Sequence, residues 1–326
     1  MRKVSILAAI PIIAYVSFGV YGIYLSNTTI RQHFLIVNTW NDFPGENATD
    51  VEAMPAQALQ AYFVLKSKGC QDNQIDLMLY HCNEDSVDID GNGTNDLPRA
   101  SIDAENDVVN KGNLEAAIKR LGNIAGQYDE VTIYIIAHGQ IVGGGSSAFS
   151  FENSNLVTSE EFNRWLNGIN CKRLMIFLDF CYSGNFAKSL ERPGRLIVSA
   201  SEDVQEAWFY WDWARSLNDT NTAIFGNSGS AFFHPFWKKL DEGESIEQAF
   251  EYGKQECYRW GFIDGKSKNV TQAQNPQMYF KEMDPLEKFI FFFPGGPSTW
   301  LVATVLLAFI ETAIIVAALT SIRTRG

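Results

Sequence analysis

Cations are scarce in this 326-residue chain, with 26 Lys and Arg against 38 Asp and Glu and a formal net charge of -12. A phosphate backbone is held by clustered cations, so this balance argues against a nucleic-acid partner. The chain also lacks any internal period or low-complexity tract, which removes repeat arrays. Disorder is excluded by a 46% hydrophobic content with 23 Phe, 12 Tyr and 8 Trp. Cysteine is sparse and odd in number: Cys70, Cys82, Cys171, Cys181 and Cys257. In an oxidising compartment at least one thiol is left unpaired. Cys70 and Cys82 flank an expected strand that, extended, holds them too far apart to bridge easily, so no disulfide is predicted. The length fits one globular domain of up to about 250 residues with something further at each end.

Both ends carry long apolar runs. Val4 to Leu25 is uncharged and follows Arg2 and Lys3. A bilayer needs about 20 apolar residues and a signal-peptide core only about 7–15, and no small-residue cleavage site follows. Residues 1–26 therefore read as a retained anchor, with a cleaved signal peptide as the alternative. Trp300 to Leu319 is a second expected span, within 300–320, followed by Arg323 and Arg325 in a short tail, 321–326. Its Glu311 costs about 2.5–3.5 kcal/mol on insertion scales, so it is expected to face a partner helix or water. The aromatic run Phe289 to Phe293 ahead of Pro294 and Pro297 suits an interfacial linker over 291–299. Cations on both tails place them in the cytoplasm and residues 27–290 outside it, extracellular or lumenal. Sequons at Asn27, Asn47, Asn92, Asn218 and Asn269 agree with that topology, though such triplets are common by chance.

Within 27–290, strand and helix signals alternate. Apolar runs at His33–Asn38, Ile75–Tyr80, Val131–Ala137, Leu174–Leu178 and Arg195–Ala200 predict strands. Pro55–Lys68, with Gly69 at its end, Asn113–Ala125 and Ser159–Leu166 predict helices. Near-continuous apolar strands mean burial on both faces. The expected fold is α/β, a mostly parallel sheet flanked by helices on both faces. Ligands of such sheets bind at the carboxyl ends of the strands, so the residues following each run are the ones that matter.

His138-Gly139 follows one run and Asp179-Phe180-Cys181-Tyr182-Ser183-Gly184 another, placing a His and a Cys 43 residues apart in sequence at one sheet edge. A thiolate with a proton donor for a leaving amine is the minimum for acyl transfer. Gly139 allows a carbonyl to approach, and its N–H with that of Cys181 would form an oxyanion site. A buried, inert Cys and a chance His after a strand is the competing account.

These motifs, with the segments 34–42, 57–70 and 195–212, resemble the caspase-like cysteine peptidases over most of residues 33–260, and among them the legumain family, which includes the catalytic subunit of the glycosylphosphatidylinositol transamidase. The resemblance implies a caspase-like sheet, Cys181 as nucleophile and His138 as general base and acid. It implies that Asn38 orients the histidine, and that Asp179 and Asp212 receive the substrate's P1 side chain. Paired carboxylates there favour Asn or a basic residue. The alternative has Asp179 capping the next helix and Asp212 in a solvated loop. Gln140 stands where legumains keep glycine.

Asp88, Asp90, Asn92 and Asp96, with Gly93 at the sixth position, match the first part of a calcium loop, but its closing Glu is replaced by Arg99. A structural calcium is one reading, a self-bonded turn the other. Catalysis itself calls for no cofactor. The aromatics Trp208 to Trp211 and Trp213 suit a substrate cleft, a membrane-facing surface or the core. The leading expectation is a membrane-anchored cysteine endopeptidase acting on protein or peptide, with membrane-protein partners through the C-terminal helix. A transamidase using the same acyl-enzyme, and a non-catalytic receptor or assembly subunit, are the alternatives.

Overall fold

The computed structural model describes residues 31–40, 53–81, 87, 89, 94–152, 154–210, 229–263 and 274–280. In chain order the strands are β1 (Gln32–Asn38), β2 (Ile75–Leu79), β3 (Ala104–Glu105), β4 (Glu130–Ile136), β5 (His138–Ile141), β6 (Ser147–Ser150), β7 (Leu156–Thr158), β8 (Arg173–Asp179), β9 (Arg195–Ser199), β10 (Phe209–Tyr210), β11 (Gly229–Ser230) and β12 (Gln277–Phe280). The helices are α1 (Ala53–Ser67), α2 (Lys111–Ile124), α3 (Ser159–Leu166), α4 (Ser183–Leu190), α5 (Phe233–Asp241) and α6 (Ile246–Ile263).

Seven strands form the main sheet in the order β12-β9-β8-β4-β1-β2-β3. Its pairs are parallel except β12 against β9. Alternation along β1 divides the core. Phe34 and Ile36 join the cluster containing α1, α5 and α6, whereas Leu35 and Val37 join the one containing α2, α3 and α4. This is the expected helix–sheet–helix sandwich. The antiparallel β5-β6-β7 sheet hangs from the end of β4, and Phe149 and Val157 insert into the second cluster.

Local chemistry explains the boundaries. Helix α3 opens on a capping box, Thr158 Oγ1 accepting from Glu161 N while Glu161 accepts from Thr158 N. Helix α2 starts at Lys111, not at Asn113, because Asn110 is its cap and accepts from Asn113 N. Helix α1 starts earlier than its sequence pattern and ends at Ser67, closed by Gly69, which turns at a φ of +89° and donates its N–H to Lys66 O.

The expected spans, the interfacial linker, Asp212, Asp88, Asp90, Asn92 and Cys82 lie outside the described residues. Among the described residues no helix is long and apolar enough to cross a membrane. Cys70, Cys171, Cys181 and Cys257 are free thiols.

Candidate active site

The parallel register brings His138 and Cys181 to one place. Ile136 on β4 stands opposite Asp179 on β8, and Ala137 N donates to Asp179 O at 3.2 Å, continuing the ladder past the strand ends. His138 and Cys181 each lie two residues beyond that paired row. A Cβ added to Gly139 would sit 1.9 Å from Cys181 O and 2.8 Å from the Phe180 ring. Glycine is therefore required after His138, because the two loops are in backbone contact.

Cys181 is half-buried at a sharp strand-to-helix elbow. Tyr182 turns the chain at φ 63°, ψ 21°, and α4 begins at Ser183. The positive helix end favours a thiolate at its N-terminus. Ser183 and Ser201 brace the elbow, with Ser183 N donating to Ser201 Oγ and Ser201 N to Ser183 Oγ, both at 3.2 Å. Gly184 packs directly on Ser201, Glu202 and Asp203, leaving no room for a Cβ.

The sulfur itself is held by the loop after β9. Ala207 N donates to Cys181 Sγ at 3.3 Å, and the thiol donates to Ala207 O at 3.6 Å. Burial pushes the Cys181 thiol pKa up, the Ala207 amide pulls it down, and the negative charges of Glu206 and Asp179 push it up. Glu206 is exposed, sits between Ala207 and Gln205, whose carbonyl accepts from Tyr182 N at 2.7 Å, and also raises the Tyr182 phenol. No spacing motif marked Glu206 or Ala207 in the sequence, because their place beside the thiol is set by a loop following a different strand.

Asn38 ends β1 in the same row, opposite Ile136. Its side chain is fully buried, and its amide nitrogen donates to Trp40 O at 2.6 Å. Trp40 meets the His138 ring edge-on, with centroids 4.9 Å apart and planes at 78°, and its Nε1 donates to Ser150 O at 2.9 Å. Ser150 pairs with His138 across β5 and β6. Asn38 thus reaches the histidine by way of Trp40, and Trp40 is a site residue that the sequence reading passed over. Its signal was an indole two residues beyond an apolar strand end.

Asp179 is placed differently from expectation. The alternation Met175, Phe177, Asp179 sends it into the α1/α5 side, where it is 0% exposed. One carboxylate oxygen accepts from Tyr134 Oη and the other from Ser230 Oγ, each at 2.8 Å. Burial pushes its pKa up to about 7 against those two hydrogen bonds. Both oxygens are taken by protein donors, so the carboxylate is neither a helix cap nor a wall open to a P1 side chain. It anchors a buried polar cluster instead: Ser230 N donates to Gln57 Oε1 at 2.9 Å, and Gln60 Nε2 meets His234 Nδ1 at 2.9 Å.

Of the calcium-loop residues, Asp96 is described, and its carboxylate accepts from Ile89 N at 2.6 Å, the bond of a self-closed turn. Among the described residues no group of three or more His, Cys, Asp or Glu side chains is arranged to hold a metal ion. Of the aromatic cluster, Trp208 is 41% exposed beside Ala207, whereas Phe209 packs partly buried on the core.

The mostly parallel α/β sheet thus carries a thiol and an imidazole beyond the carboxyl ends of two adjacent strands. The chain belongs to the Peptidase C13 family, whose profile matches residues 43–282. Among solved structures it is similar to a Geobacter sulfurreducens protein, at 12% identity over 79% of this chain and 96% of that one, with a TM-score of 0.47. It is also similar to caspase-1 from Spodoptera frugiperda, at 12% identity over 82% and 91%, with a TM-score of 0.45. No curated protein matches the chain. Family membership makes it a cysteine-peptidase relative with protein as the implied substrate.

Proposed function

We propose that the chain is a membrane-anchored cysteine endopeptidase, its catalytic domain extracytoplasmic, in which Cys181 and His138 form a catalytic dyad. The supporting observation is the backbone contact of Gly139 with Cys181, which holds the His138 and Cys181 loops together at the ends of adjacent parallel strands. In this reading the Cys181 thiol gives its proton to His138 and the thiolate attacks the peptide carbonyl. The amides of Gly139 and Cys181 hold the oxyanion. His138 then protonates the leaving amine, and water, deprotonated by the same imidazole, releases the acid from the thioester. Trp40, fixed by Asn38 and Ser150, keeps the imidazole in place.

Glu206 supports a basic P1 residue over Asn. It is an exposed carboxylate with its charge felt at both Cys181 and Tyr182, whereas Asp179 is sealed inside. An anionic side chain beside the nucleophile favours a cationic partner.

A P1-scanning peptide library on the full-length chain tests both statements. Cys181→Ala is expected to abolish cleavage with the fold retained, and unchanged cleavage by that variant refutes the dyad. Glu206→Gln is expected to lower kcat/KM for Arg and Lys peptides about tenfold relative to Asn peptides, the scale of one lost charge-assisted contact. Adding a small amine and weighing the products separates hydrolysis from transamidation, since both draw on one thioester. A chain whose Cys181 reacts no faster than a generic thiol toward an electrophilic peptide would be a non-catalytic subunit.

A further inference from the structure

The loop that holds the Cys181 sulfur is itself held from a distant part of the chain. Gln274, 4% exposed, lies just ahead of β12 on the sheet edge. Its Oε1 accepts from Trp208 N at 2.9 Å and its Nε2 donates to Ala200 O at 2.7 Å, so one side chain joins the two ends of the 200–208 loop. Its own carbonyl accepts from the buried Cys257 thiol at 3.8 Å. The next residue adds to the staple: Asn275 N donates to Gln205 Oε1 at 3.0 Å, and Asn275 Nδ2 donates to Glu202.

The peptide unit between Ala207 and Trp208 links this staple to the nucleophile. Its N–H, that of Trp208, is fixed by Gln274, and its carbonyl, that of Ala207, accepts from the Cys181 thiol. The preceding N–H, that of Ala207, lies one Cα away in the adjoining peptide unit and donates to the sulfur at 3.3 Å. We propose that Gln274 is a positioning residue for Cys181, which acts through the Ala207–Trp208 peptide to keep a main-chain donor on the sulfur. Burial withholds from a thiolate part of the solvation that water would give it, so a fixed donor is worth most to the charged form. The charges felt at this sulfur are those of Glu206 in the loop and Asp179 from β8, and the Tyr182 phenol at the elbow feels the thiol in turn. Gln274 carries no charge, so its effect on ionisation is exerted through geometry.

This inference rests on Cys181 as the reactive thiol, and its test uses no substrate. Gln274→Met and Gln274→Leu keep most of the volume, add no charge and remove both polar contacts. In the full-length chain, iodoacetamide alkylation of Cys181 is followed by peptide mass from about pH 6 to about pH 10, with Cys171 as internal reference. The expected result is a Cys181 profile displaced to higher pH in both variants. Its rate at pH 7 should fall about three- to tenfold, the scale of a partly lost hydrogen bond to a charged group, while the Cys171 profile is unchanged. Folded variants whose Cys181 profile overlays the wild type overturn the proposal. If neither Gln274 variant folds, Asn275→Ala takes their place: a smaller shift in the same direction supports the staple, and an unmoved profile reduces Gln274 to a purely structural role. Cleavage that persists in Cys181→Ala would refute the dyad separately, without bearing on the alkylation result.

Discussion

Replacing Asp179 with Asn should remove a pH dependence of stability that the buried carboxylate imposes. Asp179 is 0% exposed and titrates at about 7 in the folded protein. In the unfolded chain an aspartate titrates at about 3.9. A raised folded value means that the native state holds the proton more tightly. Its contribution to stability is full below about pH 4 and is lost as the pH rises through about 7. Three units at about 1.36 kcal/mol each give a loss of about 4 kcal/mol across that window. An Asn at this position does not titrate, and the Tyr134 and Ser230 hydroxyls can rotate to accept from its amide as well as donate to its oxygen. Urea unfolding of both chains, read by tryptophan fluorescence at steps from about pH 4.5 to about pH 8, gives the difference directly. Wild type is expected to weaken relative to Asp179→Asn by up to about 4 kcal/mol, nearly all of it before pH 8. A difference that stays constant with pH would refute the buried ionisation. So would a difference that grows in favour of wild type as the pH rises.

Substitutions at three further positions probe the elbow and the histidine. Gly139→Ala places a Cβ 1.9 Å from Cys181 O, so the loops must part, and cleavage should fall by orders of magnitude for a stability loss of about 1–3 kcal/mol in thermal unfolding. Tyr182 sits at φ 63°, so Tyr182→Gly should be close to neutral in stability while Tyr182→Val destabilises by about 1–2 kcal/mol, a ranking that thermal melts check. Trp40→Ala removes a ring contact worth about 0.5–1.5 kcal/mol from His138 and should lower kcat several-fold with KM nearly unchanged, whereas Trp40→Phe keeps the edge contact and most of the rate.

The parts of this molecule that were legible in sequence are those where one-dimensional pattern and three-dimensional burial coincide. Strands β1, β2, β4, β8 and β9 are buried on both faces and so read as near-continuous apolar runs. Helix α3 announced itself through Thr158 and Glu161. Helix α5 did not, because its first half is crowded with aromatics and carries Pro235, which is tolerated in the first turn. The β5-β6-β7 sheet was also missed. Its first strand, HGQI, is largely polar, and Gly143 to Gly145 reads as loop. The burial of Asp179 was legible in the same way: the two-residue alternation that buries Met175 and Phe177 toward α1 continues to it. Ala207, Glu206 and Gln274 carry no such signal, since they approach Cys181 through loop contacts that no spacing encodes.

Why a histidine and a cysteine 43 residues apart should meet at all is a question of register. Parallel neighbours need a long crossover, and here β5, β6, β7 and α3 fill it. The crossover returns the chain beside its own start, with Glu130 opposite Arg173 and Ile136 opposite Asp179. Since β4 and β8 are each seven residues long and paired without offset, whatever follows by two residues on one lies beside whatever follows by two on the other. The Glu130–Arg173 ion pair at the far end and the Gly139–Cys181 contact at the near end pin that register from both sides. A one-residue slip would send Ile133, Ile135, Ile176 and Leu178 to the wrong helical layer and turn the thiol away from the imidazole in the same movement. The hydrophobic pattern that folds the sheet is therefore also what sets the Cys181 elbow against the chain at His138 and Gly139.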